Sequence, residues 1–210
     1  MKELFENIDE ISKFKILQEL EAITSKYEKN KIIMSSVKND DIICLVLSGH
    51  VQVIKNDANG NHIIIEDLYD GDIFGSISAN INSSDFEIIT KEESNITIIE
   101  LDNIYAYNNN ISLYNTFIKN LIKVLYQKIK EFNNRIEILT NKTIRDKLLA
   151  YFRIMTKNNN TKTIYLPFNY SDLADYLAIN RSAMAREMKL LKEEGLIEAK
   201  GKKIKLLYYI

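Results

Sequence analysis

Five side chains within residues 169–197, NYSDLADYLAINRSAMAREMKLLKEEGLI, have the types and spacing to read a DNA groove. Arg181, Ser182, Ala185, Arg186 and Lys189 fall on one side of a 3.6-residue repeat, while Met184, Met188 and Leu191 fall on the other. An arginine can take both major-groove acceptors of a guanine, and a serine can donate or accept at several bases. Lys189 and Lys192 suit phosphate contacts, which position a protein without reading sequence.

Such residues need a rigid mount, and the flanking sequence predicts one. Asn169 or Ser171 can cap a first helix, Leu173 and Leu177 face a core, and Ala174 is small where a second helix must pass close. Ala178-Ile179-Asn180 makes a tight turn, and Arg181 opens the second helix. This is a helix-turn-helix pattern with the second helix as the reader. The following GLIEAKGKKIKLL alternates about Gly201 as a two-stranded wing, with Lys200, Lys202 and Lys203 near its tip. The plain alternative is a helical pair with a basic face; turn, charge and wing together favour the reader.

The net charge of −1 comes from 28 basic and 29 acidic residues in 210, which by itself argues against a nucleic-acid partner. It is an average of two unlike parts. From Thr140 onward there are 14 Lys+Arg against 7 Asp+Glu, and before it 14 against 22, so a net of +7 opposes a net of −8. That contrast suggests two domains with different partners, the second facing phosphate.

Upstream, Ile118, Ile122, Leu125, Ile129, Phe132, Ile136 and Leu139 alternate in steps of four and three. This is a coiled-coil seam, expected to pair with a second copy across a long helix at about 111–140. Charged flanks include Lys123, Lys128, Lys130, Glu131, Arg135 and Glu137, and a second stripe, Phe117, Leu121 and Val124, is expected to pack on the domain before it. A single long helix lying across its own domain is the alternative. TNKTIRDK reads as a short polar hinge. From Lys31 to about Asp102 the texture is short Ile- and Val-rich runs, with Ser48-Gly49, Asn59-Gly60 and Asp70-Gly71 between them, which predicts an all-β barrel or sandwich. The stretch from Leu4 to Tyr27 has the apolar spacing of short helices.

The single cysteine, Cys44, excludes intrachain disulfides and cysteine-rich metal sites, and makes a cytoplasmic location the default. The start, MKELFENIDEISKF, lacks the apolar core of a signal peptide, and no run suits a membrane span.

The order of β-rich region with SG and GD-x-FG turns, long helix, RSAMAREMKLLKEEGLI and wing resembles the Crp/Fnr family of bacterial transcription regulators over essentially the whole chain. The resemblance implies an α+β fold: an N-terminal cyclic-nucleotide-binding-type β-roll (jelly-roll) at 1–110, a long dimerisation helix at 111–140, and a C-terminal winged helix-turn-helix at 141–210. It also implies a homodimer on a palindromic double-stranded DNA operator, with RNA polymerase as a further partner and no enzymatic activity, cofactor or membrane. Arg181 and Arg186 keep the two arginines of the family's recognition helix. Ser182 replaces the usual Glu, which leaves the half-site sequence open.

The sensor half departs further from the family. The turn Phe74-Gly75-Ser76 is the implied effector pocket, but Ser76 stands where members that bind cyclic AMP carry Glu. The downstream Ser83-Ser84-Asp85-Phe86-Glu87 lacks their arginine, and no Arg precedes Arg135. A cyclic phosphate needs a cation or a helix N-terminus, so cyclic AMP is not the expected effector. His50 and His62 are expected on the surface of hairpin strands rather than as haem ligands, and Cys44 as a buried thiol. Two other readings stay open: a cupin-like metal enzyme, with too few histidines for the usual centre, and a ligand-responsive module that binds a protein partner.

Overall fold

The computed structural model describes residues 4–33, 41–56, 62–76, 86–107, 111–158 and 161–207. They form two compact units, Met1–Lys128 and Ile129–Ile210. The first contains α1 (Glu10–Glu19), β1 (Ile23–Tyr27), β2 (Ile42–Ser48), β3 (Val51–Asn56), β4 (His62–Leu68), β5 (Ile73–Gly75), β6 (Phe86–Thr90), β7 (Ser94–Glu100) and α2 (Leu101–Ala106). The long helix α3 (Ile111–Leu139) begins in this unit and ends in the second.

Two antiparallel sheets, in the orders β1-β7-β2-β5 and β4-β3-β6, make the β-roll. The apolar run IICLVL of β2 is buried on both faces, which explains why its sequence does not alternate. Ile42, Cys44 and Val46 join Val51, Val53, Leu68 and Ile88 in a core shared by the two sheets. Ile43 and Leu45 point the other way, into a core closed by Leu4, Phe5, Ile16, Leu20, Phe117 and Leu121. The stripe Phe117, Leu121 and Val124 therefore packs where it was expected.

The amino-terminal stretch corrects one expectation. Only Glu10–Glu19 is an α-helix of any length, and Ile23–Tyr27 is a strand paired with β7 over Ile23↔Ile98 to Tyr27↔Ser94. Thr24 and Thr97 share a hydroxyl hydrogen bond of 2.8 Å across that pair, a cross-strand contact that helical periodicity does not register. Ile11 and Phe14, which fall within the apolar spacing of this stretch, are 84% and 69% exposed. The Ser48-Gly49 and Asp70-Gly71 turns carry positive φ at Gly49 and Gly71, as their chemistry requires, whereas Asn59-Gly60 lies outside the described residues.

The second unit holds the end of α3, then α4 (Ile144–Asn158), β8 (Thr163–Tyr165), α5 (Tyr170–Tyr176), α6 (Arg181–Glu193), β9 (Ile197–Lys200) and β10 (Lys203–Leu206). Its core gathers Ile138, Leu148, Tyr151, Phe152, Leu173, Leu177, Met184, Met188 and Leu191. The wing has three strands, β8-β10-β9, because Thr163–Tyr165 joins the two strands expected from the sequence. Among the described residues no helix is long and apolar enough to cross a membrane.

Candidate nucleic-acid interface

The local chemistry of α5 and α6 fixes their ends. Asn169 is the cap of α5, its Oδ1 accepting from the Asp172 N–H at 2.9 Å, so Ser171 sits inside the first turn. Ala178 takes φ +50° in the turn, and Ile179 N–H donates back to the Ala174 carbonyl at 3.0 Å. Asn180 then caps α6, its Oδ1 accepting from Ser182 N–H at 3.0 Å and Ala183 N–H at 3.1 Å. Two of the orphan donors of α6 are thus satisfied by a side chain of the turn itself.

Arg181, Ser182, Ala185, Arg186 and Lys189 are all exposed, while Met184, Met188 and Leu191 are buried. A concavity of about 300 Å³ brings Ser171, Arg181, Ala185 and Lys189 together with Tyr170 and Lys192. Ser182 and Arg186 lie outside it on the same helix, and Arg186 Nε donates to the Ser182 carbonyl at 3.4 Å.

Most acidic residues of this unit are drawn into ion pairs. Arg145 on α4 holds Glu187 at 2.6 Å and grips both oxygens of Glu194, at 2.6 and 2.8 Å. Those bonds hold the Glu194 carboxyl below its ordinary range and make the guanidinium harder to deprotonate. Asp175 pairs with Arg181 at 2.8 Å, Glu193 with Lys189 at 3.6 Å, and Glu198 with Lys205 at 3.2 Å. With carboxylates compensated in this way, the surplus of lysine and arginine sets the sign of the unit's field.

Tyr170 is a residue that sequence reasoning missed. Its hydroxyl donates to the Gly201 carbonyl at 2.8 Å, across 31 positions, which ties the start of α5 to the wing tip. Lys202 Nζ adds a bond of 3.2 Å to the Pro167 carbonyl. The tip itself is Gly201-Lys202 between the paired Lys200 and Lys203, with Gly201 at φ +57°. No local pattern marks Tyr170, because its partner arrives by tertiary folding.

Of the seven expected seam residues, only three are mostly exposed in the single chain. Ile122, Ile129 and Ile136 are 60%, 57% and 58% exposed, while Ile118 and Leu125 lean on the core of the first unit. Phe132 and Leu139 are half-buried. Two residues expected on its charged flanks are instead buried. Lys128 ion-pairs with Glu66 at 2.8 Å and donates to the Ile73 carbonyl at 2.6 Å. Arg135 lies over the Tyr176 ring at 4.0 Å.

At the implied effector turn, Phe74 is fully buried in the inter-sheet core. Gly75, at φ +130°, has no room for a side chain, since a Cβ would come within 2.3 Å of the Ile42 carbonyl. Ser76 spends its hydroxyl on Ile42, accepting from the N–H and donating to the C=O, each at 3.0 Å. Lys128 comes in from α3 beside Ile73 and arrives already paired with Glu66. Ser83, Ser84 and Asp85 lie outside the described residues.

The histidines divide. His62 is exposed on β4, with Nδ1 at 2.6 Å from Asn56 Oδ1. His50, expected on the surface, is half-buried, stacked on Tyr69 at 4.4 Å with its Nε2 at 2.7 Å from Asp67 Oδ1. Gln52 and Tyr69 also donate to Asp67. Among the described residues no three His, Cys, Asp or Glu side chains lie together as metal ligands.

Residues 24–108 match the family described as cyclic nucleotide-binding domain, and residues 146–208 match the Crp-like helix-turn-helix domain. A probable transcriptional regulator, flp, of Lacticaseibacillus casei is 30% identical over 81 residues, covering 39% of this chain and 37% of that protein. The chain thus spans little more than a third of the curated relative that it matches. A mutant CooA from Carboxydothermus hydrogenoformans superposes with a TM-score of 0.69 at 20% identity, over 91% of this chain and 85% of that one. The regulator CLP of Xanthomonas campestris, described as c-di-GMP responsive, superposes at 0.64 with 17% identity, over 96% and 100%. At identities this low, the superpositions show a shared fold and no more.

Proposed function

The chain belongs to the Crp/Fnr family of bacterial transcription regulators, and from that premise we propose that it works as a cytoplasmic homodimer that binds a palindromic DNA operator. The observation that carries the reading is the exposed face of α6, where Arg181, Ser182, Ala185, Arg186 and Lys189 project from a helix whose opposite side is core. Arg181 and Arg186 would read base edges in the major groove, with Ser182 and Ala185 between them. Ser171, Lys189 and Lys192 would hold phosphates. A second copy, joined along Ile122, Ile129 and Ile136, would supply the other reader, since a two-fold operator repeats its half-sites about 34 Å apart. RNA polymerase is a further partner in this reading, and no catalysis is assigned.

Cyclic AMP is not the effector in this reading. Ser76 is engaged with Ile42, and the cation beside the turn is neutralised by Glu66, so a cyclic phosphate would have to break a buried pair to be bound. The protein acts with a different small molecule or with none.

The test is selection of bound duplexes from a random pool, with and without cell extract. Recovery of a palindrome with affinity falling steeply as salt rises supports the reading. Recovery of no sequence, together with salt-insensitive binding of a protein partner, overturns it in favour of an interaction module.

A further inference from the structure

We propose that Asp175 is a positioning residue that makes Arg181 a base reader rather than a phosphate clamp, an inference that rests on the DNA-binding reading above. Asp175 lies in the last turn of α5 and Arg181 is the first residue of α6, so the turn between the helices brings a carboxylate to the root of the reader. Arg181 Nη2 donates to Asp175 Oδ2 at 2.8 Å. The partners are unequally exposed, the Arg181 side chain at 63% and that of Asp175 at 22%, so the carboxylate is a mostly shielded anchor and the guanidinium is the part presented outward.

The anchor stands on a rigid element. Ala174, its neighbour, is fully buried, and Tyr176 on its other side packs against Phe168 at 4.9 Å and beneath the Arg135 guanidinium at 4.0 Å. A carboxylate held there constrains the guanidinium plane before any DNA arrives. One terminal nitrogen of Arg181 is occupied, and the rest of its five-donor fork remains for a planar acceptor pair.

Two consequences follow from the pairing. An unpaired arginine at the first position of a helix meets the positive end of the helix dipole and samples many rotamers, including those that reach phosphate. Pairing with Asp175 offsets the dipole, removes rotamer freedom in advance, and cancels the net charge by which the side chain would attract phosphate and release counterions. What remains is directional hydrogen bonding, which discriminates bases. Lys189 is the contrast on the same helix: its contact with Glu193 is longer, at 3.6 Å, and both groups are largely exposed, so it stays available to the backbone.

The experiment compares wild type, Asp175→Asn, Asp175→Glu and Arg181→Ala by duplex selection and by salt titration on the selected operator and on random DNA. Asp175→Asn keeps shape but removes the charge; it is expected to lose roughly tenfold in preference at the base position that Arg181→Ala also relaxes. Random-DNA binding by that variant should hold or tighten, with a log-log salt slope steeper by about one phosphate contact. Asp175→Glu should restore most of the preference. If Asp175→Asn keeps the wild-type preference and slope, or weakens all duplexes equally, the positioning role is wrong while DNA binding stands. If wild type selects no sequence at all, the parent reading falls and this one with it.

Discussion

Lys128 of α3 and Glu66 of β4 form a buried ion pair, 2.8 Å long, with 8% and 7% of their side chains exposed. Lys128 also donates to the Ile73 carbonyl, next to the Phe74-Gly75-Ser76 turn, so the long helix α3 is fastened beside that turn by a charge. The second carboxylate oxygen, Glu66 Oε2, is buried without a hydrogen-bond partner. Burying two charges is costly, and the arrangement holds only while both are present.

Removing one member should therefore cost more than replacing both. Lys128→Ala or Glu66→Ala alone is expected to destabilise by about 3–5 kcal/mol, and Lys128→Met with Glu66→Leu by much less than the two losses added. Urea denaturation of the four proteins checks this; additive losses would show that the pair is not coupled.

On the reader helix, Arg186→Ala should weaken operator binding by roughly 1–3 kcal/mol and relax base preference, whereas Lys189→Ala should weaken all duplexes about equally. Two mutants that behave alike on operator and random DNA would show that the roles are misassigned.

Along α3, Ile122→Asp and Ile129→Asp place a charge on side chains that the single chain leaves mostly exposed. Each variant should keep its fold while sedimenting as a monomer where wild type is expected to sediment as a dimer, because a charged residue at a seam position cannot be buried unpaired. A wild type that sediments as a monomer sinks the seam.

Acid should loosen the β-roll through Asp67. Burial alone would raise its carboxyl, but the hydrogen bonds from His50, Gln52 and Tyr69 outweigh this and hold it below the ordinary range. A carboxyl lowered by folding stabilises above its unfolded value, about 3.9, and that contribution disappears as pH falls through the lower folded value. Wild type should then lose urea stability faster than Asp67→Asn below about pH 4. Parallel curves for the two proteins would remove Asp67 from the account.

Cys44 is buried in the inter-sheet core, where desolvation pushes its thiol up to about 12. Thiol reagents at pH 8 should react with the native protein only as fast as it unfolds. Immediate labelling would show that the site is open.

Much of the fold was legible because its signals are local. The heptads, the Ser48-Gly49 and Asp70-Gly71 turns, and the alternation of apolar and polar residues through Arg181–Glu193 each announce their element within a few turns of chain. Ile23–Tyr27 has helical spacing in sequence yet is a strand, since its strand character comes from β7, more than 60 residues away, and apolar spacing over one short segment does not separate the two states.

By itself the sequence determined the order of domains, the opposed charges of the two ends, and which face of α6 is core and which is free. These follow from residue type and period along one element. Tertiary structure alone decided that Lys128 turns inward to Glu66, that Tyr170 holds the wing tip at Gly201, and that Asp175 faces Arg181 across the turn. Such pairings depend on where a charge is desolvated and what meets it there, and a side chain's type does not state its partner.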